Sequence, residues 1–483
     1  MRQQLLTSEN RKWWTLAAVA FGLFMIMLDN TIVNVALPSI QRDLGAQLSE
    51  LEWIVAGYAL SFATLILTGG KLADLFGRRR LFMIGLAVFA AASLACALAP
   101  SAGFLIGARV VQGIGAALLN PASLSIISAT FPPRERGMAI GIWAGVSATA
   151  LAIGPLVGGL LVEQVGWSSI FYINVPIGVI AIVASYLLID ESKDTSAGQR
   201  LDVLGLASSA LGLFALTYGL IEANANGWTS PRIVGAFIVA AVALALFVLL
   251  ESRQRAPMLD LQLFRNSTFA GANVVMLMVA LAMFGVFFFL SLYLQNILGY
   301  SPARAGAAFL PMTVLIVLVA PLAGRISDRR GSRWLLTAGM TLVAAQLLYL
   351  SRMGVHETYL SLVPAMLLGG VGMASVMSPG TAAAMRGVPV DKSGVGSAVI
   401  NTSRQVGGSI GIALMGAIMA GAIGARATPQ AFVDALSTAF VVAAGIALAG
   451  GLIAAATIRN HVHTDATDKP TNRLARLTAE GSV

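Results

Sequence analysis

The stretch MLDNTIVNVALP, residues 27–38, sets an aspartate, Asp29, inside an apolar run that begins at Trp13. An acidic residue at the centre of a membrane-crossing helix costs about 2.5–3.5 kcal/mol on insertion scales, so such residues are rare and usually functional. An acid so placed can hold a proton or a cationic ligand, and not favourably both. The plainer alternative is a carboxylate that only bonds the polar residues behind it, Asn30, Thr31 and Asn34. A partner of opposite charge stands in another apolar run, Arg109 in RVVQGIGAALLNP, with Gln112 one turn further along the same face. At the helical rise, Asp29 lies about 12 Å and Arg109 about 8 Å from the same membrane face, so the two depths agree. Protonation of Asp29 would then release Arg109, and Gln112 could share the proton network. Arg109 could instead only bond backbone carbonyls between helices. The corresponding position of a second, repeated half is apolar, Met366.

A second group carries gating chemistry. GKLADLFGRRRL (70–81) and GRISDRRGSRWL (324–335) align Gly70 with Gly324, Asp74 with Asp328, Gly77 with Gly331 and Arg79 with Arg333. A carboxylate near a helix N-terminus is favoured by the helix dipole, and an arginine such as Arg78 or Arg79 can grip it through two donors. Such contacts can hold one arrangement of two helix bundles and break in another; a mere basic anchor explains the arginines but not Asp74 and the glycines. In AIGPLVGG (152–159), Pro155 removes a backbone hydrogen bond. Gly154, Gly158 and Gly159 permit close helix contact, which predicts a kinked, tightly packed helix able to seal one side. Ordinary packing in a chain with 50 glycines is the alternative. Asn30, Asn34, Tyr58, Asn120, Trp143 and Arg404 could line a cavity, as could Trp53 and Phe284, though packing explains each as well. Glu222 is expected at a membrane interface. Asp29 is expected to be the one deep carboxylate, which limits coupling through it to one proton per cycle.

The elements that must carry these residues are helices in lipid. The 483-residue chain is 57% hydrophobic and 11% charged, with a mean hydropathy of +0.82, whereas a soluble domain carries about 25% charged residues. Fourteen apolar runs are predicted at 13–37, 51–70, 81–100, 104–127, 138–162, 167–189, 203–222, 231–250, 268–296, 302–323, 334–350, 359–381, 394–424 and 432–458. The first, about 24 residues, is too long for the core of a cleaved signal and is expected to be retained. With the N-terminus inside, 24 of the 31 Lys and Arg residues fall on the cytoplasmic side. Five (Arg42, Arg232, Arg304, Arg352, Arg426) fall outside and two (Arg109, Arg404) within helices. This bias orients both termini to the cytoplasm of a cell membrane, and it accounts for the net charge of +9 without nucleic acid. The lone Cys96 excludes an intrachain disulfide, and the tail histidines His461 and His463 read as solvated rather than metal-binding.

The loop repeat, 254 residues apart, divides the chain into two six-helix units with an inserted hairpin; PPRERGMAIG (132–141) and VPVDKSGVGS (388–397) echo it more faintly. The expected segments are a cytoplasmic N-terminus (1–12), a first bundle (13–189), a linker (190–202), the hairpin (203–250), a linker (251–267), a second bundle (268–458) and a cytoplasmic tail (459–483). Parallel halves with a site between them are the architecture of a rocking transporter.

Along nearly its whole length the chain resembles the major facilitator superfamily, and within it the fourteen-helix drug:proton antiporters. The resemblance is carried by LDNTIVNVALP (28–38), GGKLADLFGRRRLF (69–82), RVVQGIGAALLNP (109–121), AIGPLVGG (152–159) and IFYINVPIG (170–178), in order on the predicted elements. Lys71 stands where that family more often has an apolar residue, and Leu75 where it often has a polar one. The resemblance implies an all-α integral membrane fold, with two six-helix bundles and an inserted hairpin. It implies a role for Asp29 in coupling, and marks AIGPLVGG as the antiporter motif of the fifth helix. No phosphate-binding GxxxxGK[ST], HExxH or hydrolase GxSxG in context points to an enzyme. The expected activity is therefore export of amphipathic, often cationic, drugs or dyes, driven by the proton gradient without a cofactor, each chain working as a monomer in the bilayer. A narrow substrate, such as a secreted metabolite or self-made antibiotic, fits the same residues.

Overall fold

The computed structural model describes residues 8–193, 202–254, 257, 259–386, 388, 393–423 and 428–459. The tail histidines, Arg426 and most of the VPVDKSGVGS loop lie outside them, as do the seven first residues and the middle of the first linker. Among the described residues, fourteen helices are long and apolar enough to cross a membrane, one for each predicted run. The first five are α1 (Ser8–Leu44), α2 (Leu48–Phe76), α3 (Arg78–Ala97), α4 (Ala102–Thr130) and α5 (Pro133–Gln164). A sixth crossing is shared by α6 (Ser169–Tyr172) and α7 (Asn174–Leu188). The hairpin is α8 (Val203–Asn226) and α9 (Pro231–Arg253). The second half holds α10 (Ser267–Leu292), α11 (Pro302–Ala308) with α12 (Leu310–Arg330), α13 (Arg333–Leu350), α14 (Tyr359–Arg386), α15 (Ser393–Ile423) and α16 (Pro429–Thr457).

The termini follow from local chemistry. Ser101, Ser230, Ser301 and Thr428 each accept a hydrogen bond from the backbone N–H three residues on, and a proline opens α9, α11 and α16. These satisfy donors that a helix start leaves free. Gly77 and Gly331, matched in the repeat, both end a helix at positive φ (+111° and +85°). Glycine is the residue that takes this conformation without steric cost.

Packing repeats pair by pair. In the first half α1 lies against α5, α2 and α3 against α4, and α3 against α7; in the second α10 lies against α15, α12 and α13 against α14, and α13 against α16. The halves meet along α2 with α15, α5 with α11 and α12, and α1 with α10. The hairpin docks through α8 onto α2 and α15, while α9, the most apolar of the fourteen, packs chiefly on α8. The fold class is thus two six-helix bundles with an inserted two-helix hairpin.

Candidate coupling site

Asp29 and Arg109 are fully buried, and the Nη1 of Arg109 donates to the Oδ2 of Asp29 at 2.5 Å. The same Nη1 lies 2.6 Å from Oε1 of Gln112, whose Nε2 donates back to Oδ1 of Asp29 at 2.9 Å. Arg109 also donates from Nε to the carbonyl of Ile54 at 3.1 Å, and its guanidinium lies over the Tyr58 ring, 4.2 Å from the centroid. Four helices therefore converge on one ion pair: α1 brings the acid, α4 the arginine and glutamine, and α2 the carbonyl and ring that meet the guanidinium. The fourth, α7, contributes Asn174, whose Nδ2 reaches Oδ1 of Asp29 at 3.1 Å. Ser93 of α3 closes the ring, accepting from Gln112 Nε2 at 2.8 Å and donating to the carbonyl of Phe89. Asn174 falls in the IFYINVPIG string, so a signal for it existed; nothing in the sequence marked Ser93. This is an enclosed charge pair in which Asp29, Arg109, Gln112, Asn174 and Ser93 each hold at least two of the others. Adding a proton to Asp29 cancels its attraction for Arg109 and must rearrange the whole set.

The remaining candidates fall into other places. Tyr58 and Asn120 are buried within the first bundle. Asn30 and Asn34 turn their amides onto α1 carbonyls, and the indole of Trp143 donates to Ser123 at 3.1 Å. Arg404 is half-buried on α15 between Ser403, which donates to Asn273 of α10, and Gln405. Two further carboxylates, Glu52 and Glu251, are also nearly inaccessible, both near helix ends rather than in the middle of a span as Asp29 is. Glu52 lies close to the start of α2, where hydropathy reads a helix end, and it is docking of α8 and α15 that encloses it.

At the loop motif, Arg78 grips Asp74 through Nε and Nη2, at 2.9 and 2.8 Å, both onto one oxygen. The acid at the start of α3 is Glu191, which accepts from the backbone N–H of Arg79 and Arg80. Arg79 reaches the carbonyl of Ile189, and Arg78 N–H that of Ser192. These contacts tie the first half to the start of the linker that follows it. Gly70 faces Pro121 of α4. In the second copy Asp328 is exposed, while Arg386 from α14 bonds Ser327 and Ser332 beside Gly331.

The proline-glycine run of α5 does two jobs. Gly154 and Gly158 press on Thr31 and Ile32 of α1, next to the coupling site. Gly159 faces α11 of the other half, where a Cβ would collide with the carbonyl oxygen of Pro302; a Cβ on Gly306 would collide with that of Pro155. Glu163 accepts from Ala303 N–H at 2.9 Å, and Gln295 donates to Val35 O at 2.9 Å. At this end, away from the Asp74 loop, the halves touch backbone to backbone. Pro155 does not interrupt α5, which runs from Pro133 to Gln164.

The chain belongs to the Major Facilitator Superfamily, whose family model matches residues 19–412, and it is an integral, multi-pass membrane protein. It is 39% identical over 422 residues, 86% of this chain and 77% of the relative, to the tetracenomycin C resistance and export protein of Streptomyces glaucescens. It is 37% identical to the puromycin resistance protein pur8 of Streptomyces alboniger, covering 92% of this chain and 90% of that one. The multidrug resistance protein Stp of Mycobacterium tuberculosis is 39% identical, over 86% of this chain and 77% of its own. In fold the chain is similar to a crystal structure of the peptide transporter POT in complex with sulfate, with a TM-score of 0.69 and 16% identity over 92% of this chain and 94% of that one.

Proposed function

We propose that the protein is a proton-coupled secondary exporter of amphipathic, often cationic, compounds, working by alternating access. The observation that carries this reading is the enclosed Asp29–Arg109–Gln112 cluster among helices of one half. Its charge balance can change only by one proton or one cation. The relatives support the substrate class, since they are named for resistance to or export of antibiotics and drugs. The energy source is the proton gradient, where one charge moved across 100 mV is worth about 2.3 kcal/mol. In this reading Asp29 carries the proton, Arg109 is its counter-charge, and Gln112 relays between them. The Asp74 loop and its second copy at Asp328 set the conformational balance, and the Gly154–Gly159 run seals the end at Glu163. That end faces the exterior, both termini lie in the cytoplasm, and the protein acts as a monomer.

The test is proton release from proteoliposomes on adding a lipophilic cation such as ethidium, with wild type and Asp29→Asn compared. Substrate-dependent proton flux in wild type, reduced at least tenfold in Asp29→Asn, is the expected result. Equal flux in the variant would remove Asp29 from the coupling step.

A second reading, a narrow natural substrate, is favoured by one observation: several relatives are each named for a single antibiotic, among them tetracenomycin C, puromycin and methylenomycin A. A compound panel distinguishes the two. Flux with one chemical series and none with unrelated cations selects the narrow exporter.

A further inference from the structure

Glu52 of α2 is 2% exposed, yet no hydrogen bond or ion pair to it is found among the described residues. Its carboxylate lies against Gly416 of α15, where a Cβ would collide with Oε1. The hairpin covers the other side: Trp53 Nε1 donates to Glu222 Oε1 of α8 at 3.3 Å, which brings a second carboxylate to the residue next to Glu52. Asn224 of α8 donates to the carbonyl of Ala417 at 2.6 Å, tying α8 to α15 as well as to α2. Ala56, Ile221 and Ala413 form an apolar floor with Trp53 and Leu220.

Among the described residues, the charged groups around this acid do not neutralise it. On α2, Glu50 turns away to accept from Gln47 N–H at 2.8 Å. On α8 the neighbours are Glu222 and, one turn back, Tyr218; on α9, Arg232 sits over the Tyr218 ring at 5.4 Å. The face of α15 offers Gly416, Ala413 and Ala417, none titratable, and Arg426 beyond it lies outside the described residues. An ionised carboxylate enclosed without a counter-charge is strongly unfavourable. Glu52 in this arrangement must therefore be neutralised.

The surface that encloses it is one that moves. The α2–α15 contact joins the two halves, and Glu52 sits at the same end as Glu163, where the halves are closed. We propose that Glu52 is a second proton-binding site, filled as this end closes and emptied as it opens. The inference rests on the alternating-access reading above. Opening draws α15 from α2 and admits water to the carboxylate, which is then stable as the anion. Closing returns it to Gly416 and requires a proton from the solution on that side. This gives the hairpin a role, since by holding Glu222 and Trp53 beside Glu52 it makes closure around the anion unfavourable.

The test reads the conformation rather than the flux. The full chain in nanodiscs carries spin labels at Val165→Cys and His356→Cys, exposed positions on opposite halves at this end, with Cys96→Ala and with Asp29→Asn to silence the other acid. With Glu52 present, the ratio of the long to the short distance is expected to rise with pH by up to about tenfold per unit over the titrating range, as linkage to one proton requires. Glu52→Gln should hold the short distance at every pH, and Glu52→Leu, a second neutral variant, should do the same. A flat profile with Glu52 present, or a pH response that survives both substitutions, overturns the proposal. Substrate-driven proton flux in wild-type protein together with either result would leave the transport reading standing and remove only this site. No flux with any compound, with the distance response intact, would count against the substrate reading alone.

Discussion

At the scale of single residues, the parts of a buried charge pair cannot be removed one at a time without penalty. Arg109→Ala would leave the Asp29 carboxylate enclosed with only amides, at a cost of about 3–5 kcal/mol. Asp29→Asn combined with Arg109→Ala removes both charges and should recover most of that loss. Thermal unfolding of purified protein in detergent, run on both singles and the double, measures it. Additive losses would mean that the two side chains do not depend on each other. Arg109→Lys keeps the charge but cannot span Asp29, Gln112 and the Ile54 carbonyl together, as the guanidinium does. Export should fall at least tenfold while the protein stays folded.

At the scale of helices, the α5–α11 contact is where the glycine pattern meets the other half, and it is the gate of the proposed cycle. Gly159 and Gly306 let the two backbones meet, and a side chain at either must push the halves apart. Gly159→Val is expected to keep the end at Glu163 from closing. Labelling of a cysteine placed at Glu163, which otherwise accepts from Ala303, should then speed up several-fold, and export should be lost. Unchanged labelling would mean that the contact is not the seal. The Asp74 loop is different in kind. Arg78, Asp74, Glu191 and Ile189 knit α2 and α3 of the first half to the chain leaving α7. In the proposed cycle its influence passes through the packing of that half, a geometry that the spacing of Gly, Asp and Arg did not reveal.

At the scale of the whole molecule, orientation is the first consequence of the charge distribution. A cysteine at Arg329, exposed at the Asp74 end, should react with an impermeant reagent only after the membrane is opened. One at Arg352, exposed at the opposite end, should react in intact cells. The reverse pattern would invert the assigned inside and outside. The pairwise repetition of helix contacts between halves also explains why one half can carry the acid alone. The position matching Arg109 is Met366, buried in the apolar core of the second bundle, so the symmetry is one of backbone and not of chemistry.

Periodicity and hydropathy determined by themselves that fourteen helices cross the bilayer, because in lipid each backbone must bond internally and each span must be about 20 apolar residues long. The repeat determined two halves and a hairpin between them, and helical rise placed Asp29 and Arg109 at one depth. Rise fixes depth but not azimuth, so only the tertiary structure decided that the two meet, and that Asn174 and Ser93 join them. Burial is likewise a property of neighbours. Glu52 reads as a polar residue near a helix end until α8 and α15, from segments more than 150 residues away, are packed over it.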